Sequence, residues 1–113
     1  MALQNTNPTT TKAWEKLQQH FQTMQTASMK EMFSEDASRA AKFHIKWEDF
    51  LVDYSKNRIN QETINLLLEL ANEVNLKQAI ASYFDGQAIN QTENRAVLHT
   101  ALRSPEKTTV LVD

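Results

Sequence analysis

Apolar residues first recur at Trp14, Leu17, Phe21 and Met24, at spacings of three, four and three. That is the period of an amphipathic helix, with Glu15, Lys16, Gln18, Gln19 and Gln22 on its wet side. Residues 1–10 are polar and end in Asn7-Pro8-Thr9-Thr10, groups that suit a helix start, so a helix is predicted near 10–26. Ser28 and Glu31 have capping-box spacing for a short turn carrying Met29, Met32 and Phe33, and Asp36 can cap another over 37–42. The period then changes to two. Phe43, Ile45 and Trp47 alternate with His44, Lys46 and Glu48, which predicts a half-buried strand. Phe50-Leu51-Val52-Asp53-Tyr54-Ser55 predicts a second, giving an antiparallel hairpin near 43–55. A two-stranded ribbon is marginal alone and needs helices, or the rest of a protein, against its apolar face.

Asn60 suits the N-cap of the clearest helix, near 61–74, with Ile64, Leu67, Leu68, Ala71 and Val74 on one stripe. Asn75 restarts the chain into a helix near 76–84 that turns Ala79, Ile80 and Tyr83 or Phe84 inward. Gly86 stands where a left-handed terminating residue belongs. Thr92 is placed to cap a last helix bearing Ala96, Val97, Ala101 and Leu102, which Ser104-Pro105 breaks. Thr109-Val110-Leu111-Val112 has strand character, yet nothing follows Asp113 to pair with it or cover it. Domains seldom leave such an edge bare, which predicts that Asp113 is a truncation point in a longer chain. The expected class is mainly α, helices with a short antiparallel β-hairpin.

Composition narrows the function. At 113 residues the chain is one domain at most, or a piece of one. Twelve Lys and Arg stand against 14 Asp and Glu, with no basic cluster, so neither nucleic acid nor an anionic membrane surface is an expected partner. The apolar run Leu66-Leu67-Leu68 is far too short to span a bilayer, and no secretory leader opens the chain, so a cytoplasmic location is expected. The absence of cysteine excludes disulfides, thiolate catalysis and thiolate zinc sites. Gly86 is the only glycine, which rules out a glycine-rich phosphate cradle and disfavours a many-stranded β fold. No cofactor is expected.

Chemistry-bearing residues are scattered. His20, His44 and His99 have no metal-binding spacing and read as surface or structurally bonded histidines. The acidic pairs Glu35–Asp36, Glu48–Asp49 and Glu69–Glu73 read as solvated faces, since acid–base work needs carboxylates held across a cleft with separated pKa values. No serine lies in a nucleophile elbow, and Ser28 and Ser34 read as caps. Two stretches stand out, 51–58 and 89–103, where ionisable and amide side chains crowd beside apolar ones as internal contacts or a partner surface would require.

These stretches carry a resemblance. Trp14 and Leu17, then Met29-Lys30-Glu31-Met32-Phe33, then Val52-Asp53-Tyr54-Ser55-Lys56-Asn57 fall in the order found early in the glucose 6-phosphate isomerase (phosphoglucose isomerase) family. Residues 89–103 resemble the family's Ile-Asn-x-Thr-Glu-x-Arg-Ala-Val-Leu-His-x-Ala-Leu-Arg throughout, and Val110-Leu111-Val112-Asp113 resembles the strand that follows. Ser104-Pro105-Glu106-Lys107 departs from the pattern, which bears on the loop and not on the family. The resemblance implies that 1–113 is the N-terminal helical segment of a larger α/β enzyme. That enzyme, a homodimer, interconverts glucose 6-phosphate and fructose 6-phosphate in glycolysis and gluconeogenesis. Its carboxylate base, its ring-opening His or Lys and its phosphate-holding groups come from α/β lobes beyond Asp113. Carried over residue by residue, no catalytic, substrate-binding or metal position lands on this chain. Asn94, Arg95 and His99 are the nearest candidates, and they read as internal scaffolding. The segment alone is expected to be inactive and to self-associate. The alternative is a stand-alone helical protein-interaction module.

Overall fold

The computed structural model describes residues 4–105 and 109–112. Glu106, Lys107 and Asp113, which the sequence reading touches, lie outside the described residues. The chain divides into two compact units, 12–68 and a discontinuous one made of Met1–Thr11 with Glu69–Asp113.

In the 12–68 unit, α1 spans Lys12–Met24, as the periodicity predicts, and Trp14 and Leu17 are half-buried and Met24 buried as expected, with the inward stripe shifted away from Phe21. Ala13, His20 and Met24 are buried and Leu17 is half-buried, whereas Phe21 is exposed. Trp14, Leu17 and Phe21 line a shallow surface hollow instead. The sequence marks an apolar flank that the residues present do not cover. Helix α2, Met29–Glu35, starts at Ser28, whose Oγ accepts from the Glu31 amide at 3.4 Å. Ser34, read as a cap, instead donates back to the Glu31 carbonyl at 3.0 Å. Asp36 accepts from the Ser38 amide and hydroxyl at 3.0 and 2.6 Å and shapes the turn into α3, Arg39–Lys42.

The hairpin forms in the expected place, β1 His44–Trp47 against β2 Phe50–Asp53, antiparallel. Its register pairs Ile45 with Val52 and Trp47 with Phe50, and these four share one face because cross-strand partners point the same way. The other face carries the pairs His44–Asp53 and Lys46–Leu51. Glu48 takes a φ of +50° in the two-residue turn. The alternation expected of a half-buried strand is therefore present, but every residue of both strands is exposed. Burial begins only at the ribbon's base, with Phe43 and Ser55.

Helix α4, Gln61–Glu73, opens on Asn60, whose Oδ1 accepts from the Thr63 amide at 2.9 Å while the Asn60 amide donates to Thr63 Oγ1 at 3.1 Å. That is a reciprocal cap. Leu66 is its buried residue, and Leu67 and Leu68, expected inward, are exposed.

In the other unit, Asn75 adopts the left-handed conformation and starts α5, Leu76–Phe84. Ala79 and Tyr83 are half-buried as expected, Ile80 and Phe84 are exposed, and Ser82 is fully buried. Gly86 has a φ of +75°, and a Cβ there would lie 2.7 Å from the Leu111 carbonyl oxygen, so glycine is required twice over. The helix expected after Thr92 does not form: only a 3-10 turn, His99–Arg103, is present. The strand expected at 109–112 is absent too, although Val110 is half-buried beside Gly86.

Candidate functional site

The 51–58 stretch is tied down from α3. Arg39, 3% exposed, donates from Nε to the Ser55 carbonyl at 2.8 Å and from Nη2 to the Asn57 carbonyl at 2.7 Å. Its guanidinium lies over the Phe43 and Phe33 rings, 4.7 and 5.6 Å from their centroids. Phe43 in turn meets Tyr54 edge-to-face at 6.0 Å. A planar fork with two aromatic faces beside it is the form in which a buried cation is best tolerated without a carboxylate. The Ser55 hydroxyl and then its amide hold the Asp53 carboxyl below the usual range, and the amide contact is 2.9 Å. The Ser55 and Asn57 carbonyls and the Asp53 carboxyl thus have internal partners, and that part of the motif's polarity is spent on fastening the hairpin's base. Sequence reasoning missed Arg39, because nothing in a short Arg-Ala-Ala-Lys turn marks one residue as buried.

In 89–103 the turn is built by Asn90. Its Oδ1 accepts from Thr92 Oγ1 at 2.8 Å and from the Glu93 amide at 3.2 Å, and its Nδ2 donates to Glu93 Oε2 at 3.2 Å. The Asn90 and Arg95 backbones pair, Asn94 takes a φ of +50°, and Arg95 Nε pairs with Glu93 Oε2. Asn90, not Thr92, is the capping side chain, and its local bonds replace the helix start. Asn94 thus has a backbone role at the turn. Arg95 and exposed His99 line an open hollow with Ala96, Val97, Leu98 and Leu102.

Of the remaining candidates, His20, His44 and Asp36 are engaged. Thr63 Oγ1 lies 3.0 Å from Asn60 Oδ1 and 2.7 Å from His20 Nε2, so the hydroxyl joins the helix cap to the histidine on α1. Glu62 Oε2 lies 3.5 Å from His20 Nδ1. His44 Nδ1 is 2.9 Å from the Ala40 carbonyl. Asp36 is held at about 2, chiefly by the Lys42 ammonium at 2.8 Å and then by Ser38. Glu48, Asp49, Glu69 and Glu73 are exposed. Among the described residues no group of three or more His, Asp or Glu is arranged to hold a metal, and no helix is long and apolar enough to cross a membrane.

The sequence model described as phosphoglucose isomerase matches residues 53–113. The chain is also 61% identical over 102 residues, 90% of its length, to a glucose-6-phosphate isomerase of Christiangramia forsetii. The chain belongs to the phosphoglucose isomerase family. It spans 19% of that relative's length. The family match begins at Asp53 and so takes in the Arg39-anchored loop and the whole Asn90 turn. The fold is mainly helical with one two-stranded antiparallel sheet, in agreement with the class read from the sequence.

Proposed function

We propose that residues 1–113 are the N-terminal structural segment of a cytoplasmic, homodimeric aldose–ketose isomerase that interconverts glucose 6-phosphate and fructose 6-phosphate. The observation that carries this reading is the 61% identity to a glucose-6-phosphate isomerase over 90% of the chain. In this reading the catalytic α/β lobes lie in the rest of the polypeptide, and the segment contributes scaffold and no catalytic or substrate-binding residue. Local chemistry supports that division. The reaction needs a carboxylate base tuned toward neutral pH, but among the described residues the two carboxyls with displaced pKa values, Asp36 and Asp53, are both held lower. A phosphate needs converging backbone N–H groups or a cationic clamp, and the single glycine stands under the Leu111 carbonyl. The sugar phosphate is thus a ligand of the whole enzyme.

The isolated polypeptide is expected to show no turnover in a coupled fructose 6-phosphate assay, while the complete gene product is active. Turnover that co-purifies with the 113-residue chain after removal of host isomerase would overturn the scaffold reading.

A further inference from the structure

The hairpin is amphipathic, and its apolar face is bare. Ile45, Val52, Trp47 and Phe50 share that face and are 58, 56, 64 and 63% exposed. Trp47 and Phe50 stack on each other with ring centroids 5.6 Å apart. The opposite face carries His44, Asp53 and Lys46 with one apolar residue, Leu51, and is the more polar of the two. The register is therefore specified for a buried side, since a one-residue slip would interchange the faces. The base is fixed as well, through Phe43, Tyr54 and the two carbonyls that Arg39 holds. The ribbon is a firmly mounted element that presents four large side chains.

We infer that this face is the docking surface for the remaining polypeptide of the isomerase, which lays an apolar helix or sheet face across Ile45, Trp47, Phe50 and Val52. The inference rests on the proposed membership in a longer isomerase chain. Two observations select a tethered occupant over a second copy. The chain spans 19% of its relative, so most of the polypeptide is available to supply the cover. The four side chains expose roughly 500 Å², from the typical areas of aromatic and aliphatic residues, which is well below the ~800 Å² per partner of a standard interface. A patch of that size holds a segment of its own chain, because tethering supplies a high effective concentration. Taken alone it falls short of the area that a free protein at dilution needs.

The test uses the complete gene product. Hydroxyl-radical footprinting is expected to modify Trp47 and Phe50 at least about tenfold more slowly than in a short peptide of sequence 43–54, as for side chains sealed in a cooperative unit. A photo-crosslinking group placed at Phe50, or at Ile45 should the first variant fail to fold, is expected to join peptide 44–53 to a peptide beyond residue 113. The product should keep single-chain mass on a denaturing gel. Peptide-like reactivity of Trp47 would overturn the inference, as would a crosslink at doubled mass or one confined to residues 1–113. Isomerase activity measured on the same sample separates the two claims. An active enzyme with a reactive Trp47 sinks this inference alone, and a sealed hairpin on an inactive protein sinks the proposed function alone.

Discussion

Arg39 is almost wholly buried, and among the described ion pairs none includes it. Its charge is balanced by the Ser55 and Asn57 carbonyls and by the two rings. Arg39→Ala would strand both carbonyls and open space against Phe43. The expected loss is about 3 kcal/mol, the scale of hydrogen bonds to a charged group with desolvated partners left behind. Arg39→Lys should recover less than half, since one ammonium cannot serve two carbonyls and stack as well. Denaturation midpoints of the two variants check this, and equal stabilities would show that the fork is incidental. Asp36 supplies a pH dependence of definite sign. Its pKa falls to about 2 in the fold from 3.8, so its contribution is present above about pH 4 and lost as pH drops toward 2. Asp36→Asn should flatten the acid limb of the stability profile in that window and leave the neutral range with the same slope. An unchanged acid limb would locate the titration elsewhere.

Among the elements, α4 depends most visibly on one cap. Asn60→Ala removes the acceptor for the Thr63 amide and hydroxyl, and through Thr63 it loosens the contact from His20 on α1. The expected cost is about 1–2 kcal/mol, the upper part of the N-cap range. Asn60→Asp should retain most of the stability, and amide exchange over residues 61–66 reports the difference. This cap, the Ser28 start, the hairpin and the α4 and α5 spans were legible in the sequence, because each is written in local chemistry: an amide or hydroxyl at the right offset, or a change of period. Which stripe of each helix faces in was legible only in part, since Met24, Ile64, Ala71, Val74, Ala79 and Tyr83 are shielded as expected whereas Phe21, Leu67, Leu68 and Ile80 are not. Periodicity located apolar flanks at Trp14–Phe21 and Leu67–Leu68, but burial follows the partners that are present. The misread last helix has a different origin. Asn90 and Thr92 are both good caps, and only the left-handed Asn94 decides that the chain turns back instead of continuing. In the candidate site the motifs were plain and their role in fastening loops was not, since Arg39 lies outside both.

For the molecule as a whole the excess is apolar surface. Leu51, Leu102 and Leu111 are 65, 85 and 79% exposed, in addition to the hairpin face and the outer side of α4. Each aliphatic side chain left in water forfeits roughly 1.5–3 kcal/mol, and several together rival the 5–15 kcal/mol that holds a domain folded. The isolated polypeptide is therefore expected to self-associate at micromolar to millimolar concentration through its combined patches. The free edges of the hairpin offer a route that the unformed strand at 109–112 does not. Sedimentation with hydrogen exchange tests it. A strict monomer with strong amide protection at 110–112 would show a self-sufficient fold and favour the stand-alone module.

The two compact units differ in how they can be completed as the chain is made. The 12–68 unit is continuous, so each bond from Arg39 to the hairpin's base and from His20 to Thr63 joins residues available once Leu68 has emerged. The other unit takes Met1–Thr11, which precedes the 12–68 unit in the chain, and closes Gly86 under Leu111, which is made 25 residues after Gly86. Vectorial synthesis folds continuous units in the order they appear. On the proposed reading, the hairpin is thus mounted and waiting, its apolar face in water, while the rest of the polypeptide is being translated. In that interval the exposed apolar face is a site at which nascent chains can associate.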